Sequence, residues 1–161
     1  MPERVVCDTS PLFYLHRLRH LFLLQHLYRH ILVPEAVVTE LRAGHDQGED
    51  VPDLAQYNWI EIHRVRAEDT LSLMTDLGAG EAHVLALALQ IPDSLVIMDD
   101  RYAREIARQR NIRLTGTAGV LLRAKHKRHV PAVKPLLDEL TRLGFHLSKV
   151  VQRRILACAG E

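Results

Sequence analysis

The stretch "SLVIMDDRYAREI", residues 94–106, decides the fold. Its apolar run from Leu95 to Met98 has the length and β-branched content of a core strand. It stops on two adjacent carboxylates, Asp99 and Asp100, and passes directly into "RYAREIARQRN", a helical pattern with a basic face. Strand followed at once by helix is half of a βαβ unit. Adjacent carboxylates repel, and a carboxylate at the end of a core strand must be solvated, capped or bound to a cation.

The same strand-then-helix alternation recurs on both sides. "RVVCD" (4–8) is a short β-branched run ending on Asp8, and "HILVP" (30–34) is stopped by Pro34. The span 12–29, rich in Leu, Phe, Tyr and His without Gly or Pro, predicts one helix between them. "PEAVVTELRAG" predicts a helix started by Pro34 and stopped by Gly44. The polar "HDQGEDVPD" follows as a loop, and "WIEIHRV" (59–65) alternates like an edge strand. A helix is expected from Ala67 to about Leu77, punctuated by "GAG" (78–80), and another over "EAHVLALALQ" (81–90). "IRLTGT" (112–117) reads as strand and turn, and the remainder as helices separated by Pro131 and Gly144. The expectation is one α/β domain over residues 1–161, a three-layer α/β/α sandwich with a central parallel sheet. Residues from about 130 to 161 read as a helical C-terminal extension.

The 161 residues suit a single core, and 47% apolar with 25% charged residues is ordinary for a globular protein. Apolar runs are broken before the roughly 18 residues that span a bilayer, and no signal-peptide pattern opens the chain. Cys7 and Cys158 form no CxxC pair, so a reducing cytoplasmic setting is the expectation. The net charge of +1 hides an asymmetry: residues 1–100 carry 7 Lys/Arg against 16 Asp/Glu, and residues 101–161 carry 14 against 4. That split suits a polyanion-binding surface beside a cluster of acids, or two halves that neutralise one another.

In a parallel sheet the carboxyl ends of the strands share one edge, where ligands bind. Asp8, Asp99 and Asp100 therefore belong to one place. Glu40, in the helix after the second strand, and Glu81, opening the helix that leads to "VIMDD", fit the same edge. Taken singly, capping or the helix dipole accounts for each acid. Together they are mutually repulsive unless they hold a cation, and hard oxygen ligands without Cys or His point to Mg²⁺ or Mn²⁺. Such a metal serves phosphodiester hydrolysis.

The ordered pieces "VVCDTSPL", "VPEAVVTEL", "GEAHVLALA", "IMDDRYAR" and "LTGTAGVLL" resemble the PIN-domain nucleases, most nearly the small VapC-like branch with a Gly-Glu-Ala helix and an Asp-Asp-Arg strand end. The resemblance covers nearly the whole chain. It implies a sheet sandwiched by helices and Mg²⁺- or Mn²⁺-dependent cleavage of RNA by an endoribonuclease. It further implies a toxin restrained by a small antitoxin, and a homodimer. Asp8, Glu40 and Glu81 match the first three acids, the last a glutamate where many relatives carry aspartate. Asp100 is the expected fourth and Asp99 the alternative. Thr9, Ser10, Thr115 and Thr117 flank the strand ends, suited to orienting acids or waters but equally to turns and caps.

Arg101, Arg104, Arg108 and Arg110, with Lys125 and Lys127 in "RAKHKRH", are candidates to hold RNA phosphates. With aromatic residues at 5%, backbone contact is expected to outweigh base stacking. His16/His20 and His26/His30 have i,i+4 spacing but no HExxH pattern and no evident third ligand, which disfavours zinc. "TGTAGV" and "GAGEA" match no nucleotide fingerprint, and Cys7 suits a buried small hydrophobe better than a nucleophile. Two readings compete with the nuclease: a PIN-like binding or assembly module with little or no catalysis, and a phosphatase-like metal hydrolase, which does not need the basic flank. The apolar "LFLLQHLY" (21–28) suits a dimer surface or the core.

Overall fold

A computed structural model describes residues 3–73 and 77–161. Its sheet is built from β1 (Val5–Cys7), β2 (Ile31–Pro34), β3 (Ile60–His63), β4 (Leu95–Ile97) and β5 (Arg113–Thr115), all parallel, in the order β3-β2-β1-β4-β5. The helices are α1 (Thr9–Arg17), α2 (Phe22–Tyr28), α3 (Glu35–Asp46), α4 (Ala79–Gln90), α5 (Arg101–Gln109), α6 (Thr117–His126), α7 (Lys134–Arg142) and α8 (Lys149–Cys158). The result is the expected three-layer α/β/α sandwich.

Burial explains the strand sequences. β1, β2 and β4 are covered on both faces and buried at every position, so they read as continuous apolar runs rather than alternations. β3 and β5 are the edges and carry polar residues. α4 packs on β2, β1 and β4, and its run Val84–Ala88 is wholly buried, which is why it is apolar all round. α3 and α5 lie beside it, and α2, packed on β2 and α6, supplies the opposite layer. α5 buries Ala103 and Ala107, two small residues one turn apart, and packs the partly buried Ile106 against the core beside them. Leu137 and Leu140 of α7, with Val130, Val133 and Phe145, join the same core as the sheet.

Three sequence expectations need correction. Residues 12–29 form two helices, because Arg19 turns into the left-handed region at φ 61°. His20 N–H then bonds Leu15 O at 2.9 Å and Arg19 N–H bonds His16 O at 2.9 Å, the paired bonds that close a helix. Glycine usually occupies that position, so an arginine there leaves no signal in the sequence. α3 runs through Gly44 to Asp46, and the glycine beyond its end is Gly48, at φ 85°. Ala67–Leu73 is a 3₁₀ segment rather than an α-helix; the rest of that expectation, residues 74–76, lies outside the described residues.

Candidate active site

The sheet order puts β1 beside β4, in register Cys7 to Ile97, so the residues that follow them meet at the carboxyl edge. Asp8 N–H donates to Ile97 O at 3.0 Å, which fixes Asp8 next to the end of β4. Its side chain is only 3% exposed, and its Oδ1 has no hydrogen-bond partner. Burial, then the neighbouring charge of Glu81, opposed by the Thr9 N–H and reinforced by Glu40 and Asp99, pushes its pKa up to about 8.

Glu40 comes to the site from α3. Its Oε2 accepts from Thr9 Oγ1 at 2.5 Å and its Oε1 from Gly80 N–H at 2.9 Å. That second bond places the carboxylate at the N-terminus of α4, where the helix dipole favours negative charge. Gly80 is needed here for space: a Cβ would lie 2.5 Å from Glu40 Oε1 and 2.7 Å from Oε2. Glu81, one residue on, is half-buried and folds its carboxylate back beside Gly78. Burial, with Glu40 and Asp100 nearby, raises its pKa against the lowering effect of its own backbone N–H.

The doubled acid divides its work. Asp99 Oδ2 accepts from Ser10 Oγ at 2.8 Å and Thr117 Oγ1 at 2.6 Å, while Oδ1 accepts from Thr117 N–H at 2.8 Å. It thereby ties β4, α1 and α6 together at the strand ends. Asp100 is exposed and caps α5, its Oδ1 accepting from Ala103 N–H at 2.8 Å. The carboxylate held among the strand-end residues is thus that of Asp99, while Asp100, the fourth acid expected from the sequence, starts α5 beside it. Asp100 still lies near enough to Glu81 to raise its pKa.

Thr9, Ser10 and Thr117 do orient acids. Thr115 does not: its Oγ1 lies against Gly119 of α6. Arg104 is half-buried and donates to Met98 O at 2.9 Å, bracing the end of β4; the sequence offered it only as a phosphate ligand. Arg101 is exposed in the first turn of α5, at the acidic edge. Arg108 pairs loosely with Glu105 at 3.6 Å and sits about 10 Å further along α5 at 1.5 Å per residue. Lys125 lies about 12 Å along α6 from Thr117 by the same rise. It is engaged by Glu161 at 2.9 Å and Ala159 O at 2.6 Å. Lys127 lies past the end of that helix. The structure therefore leaves Arg101 and Arg104 beside the acids and carries the other proposed RNA contacts toward the opposite edge.

Among the described residues, no three His, Cys, Asp or Glu side chains are drawn around a single point as a ready-made metal cage. The donor chemistry nevertheless fits a hard divalent cation. It offers carboxylate oxygens from several elements, and a buried Asp8 oxygen with nothing to bind. Other constellations fare worse. α1 ends at Arg17 and α2 at Tyr28, so neither His16/His20 nor His26/His30 spans a continuous helix. Cys7 is buried, and burial with Asp8 and Asp99 raises its thiol pKa well above the ordinary value, the opposite of an activated nucleophile. Most of "LFLLQHLY" is core; Phe22, 42% exposed, and His26 face outward. A hollow of about 770 Å³ between α3, the 51–55 segment and β3 is lined by none of the acids at the carboxyl edge.

Sequence reasoning passed over Gly80 and Gly116. The first clears Glu40; at the second a Cβ would lie 2.9 Å from Asp99 Oδ1. The only signal was that "GAG" and "TGT" sit next to the acids, and both read as turn punctuation. Comparison with curated proteins finds no match. The sequence model of a PIN-domain family matches residues 4–161. That match spans the five-stranded sheet and all the acids at its carboxyl edge, and the chain belongs to the PIN-domain family.

Proposed function

We propose that this protein is a metal-dependent endoribonuclease whose acids at the carboxyl edge hold Mg²⁺ or Mn²⁺. PIN domains are generally nucleases and generally use divalent metals. The observation that carries the proposal here is Asp8: a buried carboxyl with an unpartnered oxygen, crowded by Glu81, Glu40 and Asp99. A group so placed is costly without a cation.

Asp8, Glu40 and Glu81 would hold the ion, with Asp99 or Asp100 as the fourth acid. When bound, such an ion lowers the pKa of water and offsets charge building on a phosphodiester. The chain's own residues do the positioning. Thr9 and Gly80 fix both oxygens of Glu40, and Ser10 and Thr117 fix those of Asp99. Arg101 supplies a cation at the same edge for a flanking phosphate, while Arg104 keeps the β4 end in place. By likeness to the family the biological role is that of a toxin held by a small antitoxin, in a homodimer.

The test is cleavage of varied single-stranded RNAs with Mn²⁺ or Mg²⁺, against an EDTA control and Asp8→Ala. Metal-dependent cutting lost in Asp8→Ala supports the proposal. A folded wild type that binds Mn²⁺ yet cuts none of them favours the binding-module reading.

A further inference from the structure

One aromatic side chain is placed oddly. Phe13 lies on α1 in the turn after Thr9 and Ser10, and it is partly buried. Its neighbour Tyr14 packs against the core and meets Phe145 edge-on at 5.0 Å. Phe13 instead stands at 84° to Tyr14, 5.0 Å away, and carries the guanidinium of Arg17 4.4 Å from its ring centre. A cation over an aromatic ring is attracted to its π-face, so the guanidinium helps hold the phenyl ring in place.

Helical geometry places this pair. At 3.6 residues per turn, Phe13 lies about 40° from Thr9 and about 60° from Ser10, with Arg17 about 80° and about 20° away from the same two. Both fall in the sector between the hydroxyls that hold Glu40 and Asp99, opposite the buried Pro11 and Leu15. Phe13 is about 5 Å and Arg17 about 11 Å along the axis from those hydroxyls. Arg17 is steered from the far side, its Nε donating to Asp50 O at 3.3 Å, and His16 meets Asp50 Oδ1 at 2.8 Å. The outward stripe of α1 thus runs from the acids to an aromatic ring and then to a guanidinium.

We propose that the Phe13–Arg17 stack receives the base of a nucleotide next to the scissile phosphate. This rests on the nuclease reading of the acids. A flat ring backed by a guanidinium accepts any base by its π-face, and only an unpaired base can leave its stack to reach it. Recognition is then not by backbone contact alone, despite the low aromatic content of the chain.

The experiment uses Asp8→Asn protein with EDTA, so that nothing is cut, and compares a short single-stranded RNA with a sugar-phosphate chain of equal length that lacks bases. With Phe13 intact the RNA should bind about tenfold more tightly than the abasic chain, the scale of one base–aromatic stack. Phe13→Ala and Phe13→Leu should lose most of that preference while binding the abasic chain unchanged. In Phe13→Trp, RNA should quench the introduced indole, while the buried Trp59 alone shows no quenching in the parent. A full base preference in both Phe13→Ala and Phe13→Leu, or no quenching in Phe13→Trp, overturns the proposal. Cleavage by protein with Asp8 intact is run in parallel. Cutting without any dependence on Phe13 sinks the stack and leaves the nuclease; base preference through Phe13 without cutting upholds the stack and sinks the nuclease.

Discussion

Replacing Asp8 by Asn should make the metal-free protein more stable while removing its activity. The native carboxyl titrates at about 8, against an ordinary 3.8. A raised native pKa means that the group's contribution is most favourable below 3.8 and is lost as pH rises through 8. At pH 7 the unfolded chain releases a proton that the native state keeps, which costs the wild type about 4 kcal/mol at 1.36 kcal/mol per pH unit. At pH 5 the same reckoning leaves about 1.5 kcal/mol. Asn is neutral throughout, so its advantage should grow over that range, up to about 4 kcal/mol if the amide finds partners. Urea unfolding in EDTA from pH 4.5 to 8 measures this directly. Mn²⁺ should then stabilise the wild type and not the variant, narrowing the gap. A variant no more stable than wild type at pH 7, or an advantage flat with pH, refutes the claim that Asp8 is held against its charge.

Gly80→Ala should fold, since Ala gains roughly 0.5–1 kcal/mol of helix preference, but the Cβ 2.5 Å from Glu40 Oε1 must displace that carboxylate. Mn²⁺ affinity by calorimetry should fall at least about tenfold, the scale of losing a positioned ligand contact; an unchanged affinity denies Glu40 its role. Thr117→Val keeps the shape of a fully buried residue and deletes the 2.6 Å bond to Asp99. It should cost about 2 kcal/mol in denaturant unfolding, and a change under about 0.5 kcal/mol would show that Ser10 and the Thr117 N–H suffice. Glu161, bonded to Lys125 and to the Val133 and Lys134 N–H groups, has its pKa lowered to about 2. Its contribution is present above the ordinary 4.5 and lost as pH falls through 2. The gap in unfolding midpoint between wild type and Glu161→Gln should therefore shrink from pH 4.5 to pH 2, and a constant gap would refute the assignment.

The strands and the carboxyl-edge acids were legible because each is a local pattern. A covered parallel strand must be apolar at every position, so "VVC", "ILV" and "LVI" declare themselves, and Asp8 and Asp99 follow close behind the ends of β1 and β4. What the sequence hid depends on contacts between distant residues. Gly80 matters because α3 delivers Glu40 to it, 40 positions away. The break after α1 is made by an arginine at a position where glycine is the usual sign. The basic run at 123–129 looked contiguous with the acids because β5 and α6 are short in sequence. α6 leaves the carboxyl edge at Thr117 and carries Lys125 back along the sheet, where it meets Glu161.

The doubled acid shows how one local pattern satisfies two demands at once. Consecutive residues leaving a strand project in different directions, so Asp99 and Asp100 cannot share a partner. Asp99 turns to Ser10 and Thr117, residues that begin two helices on neighbouring elements, and locks the ends of β1, β4 and β5 into one rim. Asp100 turns to Ala103 N–H and starts α5, the helix that brings Arg104 back to the carbonyl of Met98. Each carboxylate is thereby solvated by protein donors, and their mutual repulsion is taken up by separate hydrogen-bond sets. Asp8 alone among the acids at this edge has a buried oxygen with no donor. The rim is rigid where its acids are satisfied, and the unsatisfied one marks where a cation has something to gain.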